Sequence, residues 1–207
     1  MRHIIELKNG WQFTNLDGQT SEVSIPHTWN AIDGQDGGDD YKRGTCTYTL
    51  ALQKPEFDPD TQEVWIEFDG VNASAQVSLN GQDVCSHDGG YSTFRANLTG
   101  LLADENELAV KVDNSKNDRV YPQKADFTFY GGLYRDVNLI IVPASHFELG
   151  YCGTSGIKVT PIVNLETKSA ALTVETWQNG EEVTVTVDGQ SKTVPSVDGY
   201  AKAEFTI

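Results

Sequence analysis

The 207-residue sequence is short of positive charge, of cysteine and of long apolar runs, and each shortage closes off a class of function. Lys and Arg total 15 against 30 Asp and Glu, a formal charge of −15. Phosphate backbones and anionic lipid surfaces are therefore repelled, and the basic stripe that nucleic-acid binding requires is missing. Neither nucleic acid nor membrane is an expected partner. Nothing approaches the ~20 apolar residues of a membrane span. The opening MRHIIELKNGWQF carries polar residues where a signal peptide needs an apolar run of ~7–15, so a cytoplasmic chain made without export is expected. Cys46, Cys85 and Cys152 are an odd number without metal spacing, whereas a secreted disulfide framework uses pairs; they are expected to be reduced, buried thiols. Also missing is any 11-residue window with a 3.6-residue apolar period. Parallel βαβ folds, with their phosphate-binding loops, have no helices to use here.

What is present is period two. EVWIEF (63–68), AQVSLN (75–80), ELAVKV (107–112) and DVNLIIV (136–142) alternate apolar and polar residues, with Asp69-Gly70 and Asn80-Gly81 as turn dipeptides between them. Hydrophobic residues make up 38% of the chain, enough for an ordinary core. Short, regularly spaced strands of this kind imply an all-β protein, a jelly-roll β-sandwich whose inner faces bury the alternate Val, Ile, Leu and Phe. ANLTGLLADEN supplies one short helical turn at most. Past Pro143 the aromatic density falls and Thr/Val strands take over: GIKVTPIVN, AALTVETWQ, EVTVTVDGQ, KTVPSV and AKAEFTI. The reading is two domains, 1–145 and 146–207. The second holds about five strands where an immunoglobulin-like sandwich needs about seven, so it is expected to be a partial one. Its unpaired strand edges predict either association with a further copy or loose packing.

Three segments carry residues suited to chemistry. PHTWNAIDGQDGGDDYKRG (26–44) is too rich in Gly and Asp for a strand and too long for a hairpin turn, and long ordered loops tend to be functional. Asp33, Asp36, Asp39 and Asp40 would suit a cation, but the ligand rhythm of a calcium loop is broken and its terminal Glu is missing. A solvated acidic loop is one alternative. Another is a sugar contact, in which Trp29 stacks on the C–H face of a pyranose while Asn30 and the carboxylates take its hydroxyls. In FDGVNASAQVSLNGQDVCSHDGGYSTF (68–94), Asn80-Gly81 is a type I′ turn and His87 reads as structural, because no nucleophile adjoins it. Asn106-Glu107, at the turn of LLADENELAV directly before a strand, reads as ordinary surface. DFTFYGGLYRDV (126–137) crowds Phe127, Phe129, Tyr130 and Tyr134 around Gly131-Gly132 and closes on Arg135-Asp136. Arg135 is expected to form an ion pair or to bind loop carbonyls.

Taken in order, NGWQF (9–13), VSIPHTWN (23–30), YKRGTCTYT (41–49), FDGVNASAQVSLNG (68–81), HDGGYSTF (87–94), NELAVKVDN (106–114) and DFTFYGGLYRDVNL (126–139) resemble the N-terminal sugar-binding domain of glycoside hydrolase family 2, over roughly residues 3–145. Residues 146–207 resemble the start of the immunoglobulin-like domain that follows it in that family. The HTWN and GGLYRDV details lean towards the β-galactosidases; β-glucuronidases and β-mannosidases share the architecture. The resemblance implies a non-catalytic part of a cytoplasmic bacterial enzyme whose two catalytic glutamates lie on a C-terminal TIM barrel, with a β-galactoside or related carbohydrate as ligand. It implies no cofactor for these residues, and sodium and magnesium for the whole enzyme. Carried over onto this chain, Asp126 reaches the sugar and helps to hold sodium. Asn30, Asp39, Asp40 and Tyr41 are candidates for a second substrate contact, or else they touch neighbouring domains. The rings would pack the 126–137 segment against the sandwich and the barrel, with the glycine pair allowing a close backbone approach. The competing reading is a self-contained carbohydrate-binding module. Homo-oligomers are compatible with either.

Overall fold

A computed structural model describes residues 2–35, 41–122 and 128–207, and those residues form fifteen strands and no helix. In chain order they are β1 (His3–Glu6), β2 (Trp11–Thr14), β3 (Thr20–Val23), β4 (Thr45–Gln53), β5 (Gln62–Phe68), β6 (Ser74–Leu79), β7 (Gln82–Asp88), β8 (Phe94–Asn97), β9 (Glu105–Asp113) and β10 (Val137–Pro143). After them come β11 (Ile157–Asn164), β12 (Ser169–Trp177), β13 (Glu182–Val187), β14 (Gln190–Pro195) and β15 (Tyr200–Thr206). The chain separates into two compact units, Met1–Ile141 and Val142–Ile207.

The first unit is a sandwich of a six-stranded sheet, ordered β3-β2-β4-β9-β6-β7, and a four-stranded sheet, ordered β1-β10-β5-β8. Alternation along each strand decides which side chains enter the space between them. Phe13, Tyr48, Val110, Val77 and Cys85 stand opposite one another across five neighbouring strands. They join Val64, Ile66 and Phe68 of β5, Phe94 and Ala96 of β8, and Leu139 and Ile141 of β10 in one core. Each such large side chain contributes roughly 1.5–3 kcal/mol by leaving water. The intervening residues of the six-stranded sheet, such as Thr47, Lys111, Gln76 and Ser86, stand in register on its other face. β10 departs from alternation, with Val137–Val142 all buried. Asn80-Gly81 turns β6 into β7 with φ of 54° and 78°, as a type I′ turn requires.

Several expectations change here. Asn106 is not a surface residue. It is 6% exposed, accepts from Ala103 N (2.9 Å) and donates to Ala103 O (2.8 Å), tying the 103–106 turn to β9. His87, by contrast, is structural as expected: it lies within β7 and stacks on Phe94 with ring centroids 4.4 Å apart. Cys46 is buried and Cys85 half-buried, and burial pushes both thiols up to about 11. Cys152 is exposed, because it sits in the turn-rich stretch ahead of β11. All three are free thiols.

The second unit has five strands: a sheet ordered β11-β12-β15 and the hairpin β13-β14. Its core is small, consisting of Val174, Ala203 and Phe205 with Leu172, Val185, Val187 and Val194 against them. Val159 pairs with Val174 and Ile157 with buried Thr176, so both stand on the core side of their sheet, yet they are 55% and 41% exposed. All of β11 is exposed, and the hairpin's contacts are with β15. The unit is thus a three-stranded sheet with one hairpin over its small core.

Candidate functional site

Two loops meet at one end of the first unit, the one following β3 (residues 24–35 and 41–44) and the one preceding β10 (128–136). Backbone bonds between them run from His27 N to Leu133 O (2.7 Å) and from Trp29 N to Gly131 O (3.4 Å). A third segment joins from the β5–β6 connection, where Asn72 N donates to Gly132 O (3.1 Å) and Gly132 N to Asn72 O (3.0 Å). These loops run with strand-like spacing but without strand neighbours on every side, so asparagine side chains supply the remaining bonds. Asn30 Nδ2 donates to Phe129 O (2.8 Å), while its Oδ1 accepts from Gly131 N (2.7 Å) and from Thr28 Oγ1 (2.8 Å). Asn72 Nδ2 donates to Tyr130 O (2.9 Å). Asn114 Nδ2 donates to Lys42 O (3.0 Å) and its Oδ1 accepts from Gly44 N (2.8 Å).

The glycine pair is the seam of this arrangement. A Cβ on Gly131 would lie 2.5 Å from Trp29 Cζ2 and 2.7 Å from Asn114 Nδ2. Gly132 has φ of +127°, and a Cβ there would lie 2.6 Å from Tyr48 Oη and 2.7 Å from His27 O. The expected close backbone approach is therefore present and has named partners. Behind it, His27 Nδ1 is 2.8 Å from Tyr48 Oη. Burial holds the His27 imidazole below its ordinary pKa and raises that of Tyr48, so both are neutral at pH 7.

Of the candidate site residues, the structure brings Asn30 and Tyr41, both of the loop after β3, against Phe129 of the loop before β10. Asn30 is fully buried, and the role its bonds support is bracing residues 129–131. Tyr41 packs edge-on against Phe129 (6.2 Å between centroids) beneath the Arg43 guanidinium, 5.5 Å from the ring. Asp126, Asp39 and Asp40 lie outside the described residues, as do Asp36 and Phe127, so the sodium assigned to Asp126 has no described ligand set. Asp33 is engaged by Lys42 N (2.7 Å). Trp29 is not an open platform: it stacks on Phe13 at 6.1 Å and donates its indole N–H to Lys42 O (3.1 Å). Arg135 takes the second of its two expected roles, donating to the carbonyls of Asp69 (3.3 Å) and Tyr91 (3.2 Å). Among the described residues, no group of three His, Cys, Asp or Glu is placed to hold a metal ion.

Sequence reasoning missed Asn72, Asn114 and Tyr91. Both asparagines end strand-like runs, in DGVNAS and KVDNS, where Asn is ordinary turn chemistry. Only the convergence of distant segments reveals their partners.

Residues 4–143 match the family model described as glycosyl hydrolases family 2, sugar binding domain. Among curated relatives, a β-glucuronidase of Bacteroides fragilis is 40% identical over 146 residues, covering 68% of this chain and 21% of that protein. A β-galactosidase of Thermoanaerobacterium thermosulfurigenes is 31% identical over 160 residues, covering 67% and 21%. Among solved structures, the FMN-binding β-glucuronidase from Facaelibacterium prausnitzii L2-6 superposes with a TM-score of 0.80 at 36% identity, covering 99% of this chain and 34% of that one. The chain thus spans about a fifth of the length of these curated relatives. With the family model matched across the whole sandwich and both loops that build its seam, the chain belongs to glycoside hydrolase family 2, and residues 4–143 are its sugar-binding domain.

Proposed function

We propose that this sandwich serves a β-glycosidase by presenting the 126–134 segment as one wall of a sugar pocket. Asp126 contacts the glycone and helps hold a sodium ion, and catalytic carboxylates on a TIM barrel outside these residues carry out the hydrolysis. The observation that carries this reading is the seam itself. Loops separated by about a hundred residues are locked together by a buried asparagine amide and two glycines that tolerate no Cβ. Such fixing suits a segment that must meet a ligand in one geometry. Asn30 acts as a positioning residue for that segment, and Tyr41 flanks it. Asp39 and Asp40 are further candidates for a sugar contact.

The proposed substrate is a β-glycoside. The identities put β-glucuronides ahead of β-galactosides, at 40% against 31%. The catalysis is double displacement, which in retaining enzymes uses two carboxylates about 5–5.5 Å apart. Self-association through the exposed β11 and a cytoplasmic site of action belong to the same reading. The test is turnover of nitrophenyl β-glucuronide and nitrophenyl β-galactoside. The 207-residue chain should give none. A longer protein carrying this domain should give turnover that Asp126→Ala sharply reduces. Turnover by the 207 residues alone, or full activity in the Asp126→Ala protein, refutes the proposal.

A further inference from the structure

Beside the seam, Asn72, Tyr91, Thr128, Tyr130 and Tyr134 line a half-enclosed cavity of about 300 Å³. That volume stands at the lower end of the ~300–1,000 Å³ of small-molecule clefts, which suits one ring and not a chain of them. Three phenol rings from two loops meet there; the Tyr134 ring is held by its own hydroxyl, and the backbones that carry Tyr91 and Tyr130 are tied down. The Tyr134 hydroxyl donates to Gly90 O. Tyr91 O accepts from Arg135, whose guanidinium also lies 5.3 Å from the centre of the Tyr134 ring. Tyr130 O accepts from Asn72 Nδ2. Gly70 belongs to the same support, because a Cβ there would lie 2.9 Å from Arg135 Cδ and 3.2 Å from Tyr134 Oη.

The cavity also holds polar atoms that no described protein group engages. Tyr91 and Tyr130 are 45% and 41% exposed, and among the described residues their hydroxyls have no hydrogen-bond partner. Asn72 is only 7% exposed; its Nδ2 is committed to the loop, while its Oδ1 accepts no hydrogen bond among the described residues. Aromatic faces, two donor-acceptor hydroxyls and a lone amide acceptor match the two sides of a pyranose. Its axial C–H face packs on rings, and its hydroxyls need donors and acceptors in fixed places. A purely apolar ligand would leave the Asn72 oxygen buried without a donor, at a cost that a sugar hydroxyl removes.

We infer that the cleft between Tyr91, Tyr130 and Tyr134 is a monosaccharide subsite, holding one neutral or uronic pyranose by ring stacking and by a hydroxyl donated to Asn72 Oδ1. This deepens the sugar-binding reading above and rests on it. The Tyr134 ring, held in advance by its hydroxyl, loses little freedom on binding, so even a single-ring ligand gains from that contact.

The test is a titration of the chain with methyl β-glucuronide and methyl β-galactoside, following tyrosine ring protons by NMR. The expected result is a saturable shift of the Tyr91 and Tyr130 rings with at least one glycoside, about tenfold weaker affinity in Tyr91→Ala, and a smaller loss in Tyr91→Phe, which keeps the ring. Both tyrosines are half-exposed, so these variants should keep the dispersed amide spectrum of the wild type. Asp126→Ala should leave the ring shifts in place. Absence of saturable shifts, or shifts indifferent to both Tyr91→Ala and Tyr130→Ala, overturns the subsite. Shifts abolished only by Asp126→Ala also overturn it, while favouring the loop wall. The loop wall is itself judged by turnover, so either idea can fail without the other.

Discussion

Asn30→Ala tests the seam most directly. The Asn30 side chain is fully buried and satisfies two loop backbone groups, Phe129 C=O at 2.8 Å and Gly131 N–H at 2.7 Å. Alanine leaves both without partners in a place water does not reach, at roughly 1–3 kcal/mol each, and removes packed atoms besides. A loss of about 3–5 kcal/mol is expected, a large share of the ~5–15 kcal/mol that holds a domain together. Asn30→Asp sharpens the reasoning, since the shape is kept. One oxygen still accepts from Gly131 and Thr28, but the atom facing Phe129 O becomes an acceptor opposed to an acceptor. Protonation turns that atom into a donor again, so the deficit of the Asp variant relative to wild type should shrink as pH falls. The assay is urea unfolding followed by tryptophan fluorescence in a Trp177→Phe background, which leaves Trp11, Trp29 and Trp65, all in the first unit. An unchanged slope with a lower midpoint would report stability alone. A loss below about 1 kcal/mol for Asn30→Ala, or a pH-independent deficit for Asn30→Asp, would refute the bracing role.

The glycine pair and the buried histidine give two further expectations. Gly132→Ala forces a Cβ to within 2.7 Å of the His27 carbonyl at φ +127°, so it should cost several-fold more stability than Gly81→Ala, where nothing lies within 4 Å; equal losses in urea melts would contradict the close approach. His27 is held below its ordinary pKa by burial, so the unfolded chain takes up a proton near pH ~6.5 before the folded one does. Its share of stability is therefore complete above that pH and falls as pH drops towards the folded value. His87 is shifted the same way, chiefly by burial, so His27→Gln should lower the slope of stability against pH between about 5 and 7 without abolishing it. An unaltered slope would contradict the assignment.

The sequence by itself determined the all-β class, because period-two alternation sorts each strand's side chains between core and solvent whatever its neighbours are. It also marked Gly131-Gly132 as a close approach, since a glycine pair amid bulky rings points to backbone contact, and it carried the family in seven ordered motifs. Only the tertiary structure decided that Asn30 faces inward, that Asn106 is a buried latch and not a surface residue, and that Cys152 is exposed while Cys46 is buried. The same holds for Tyr91, which reaches the cleft of Tyr130 and Tyr134 from a separate loop. Local pattern is written into neighbouring residues. The partners of a side chain depend on pairing registers that join positions such as Asn30 and Gly131, 101 residues apart, and no window of sequence contains both.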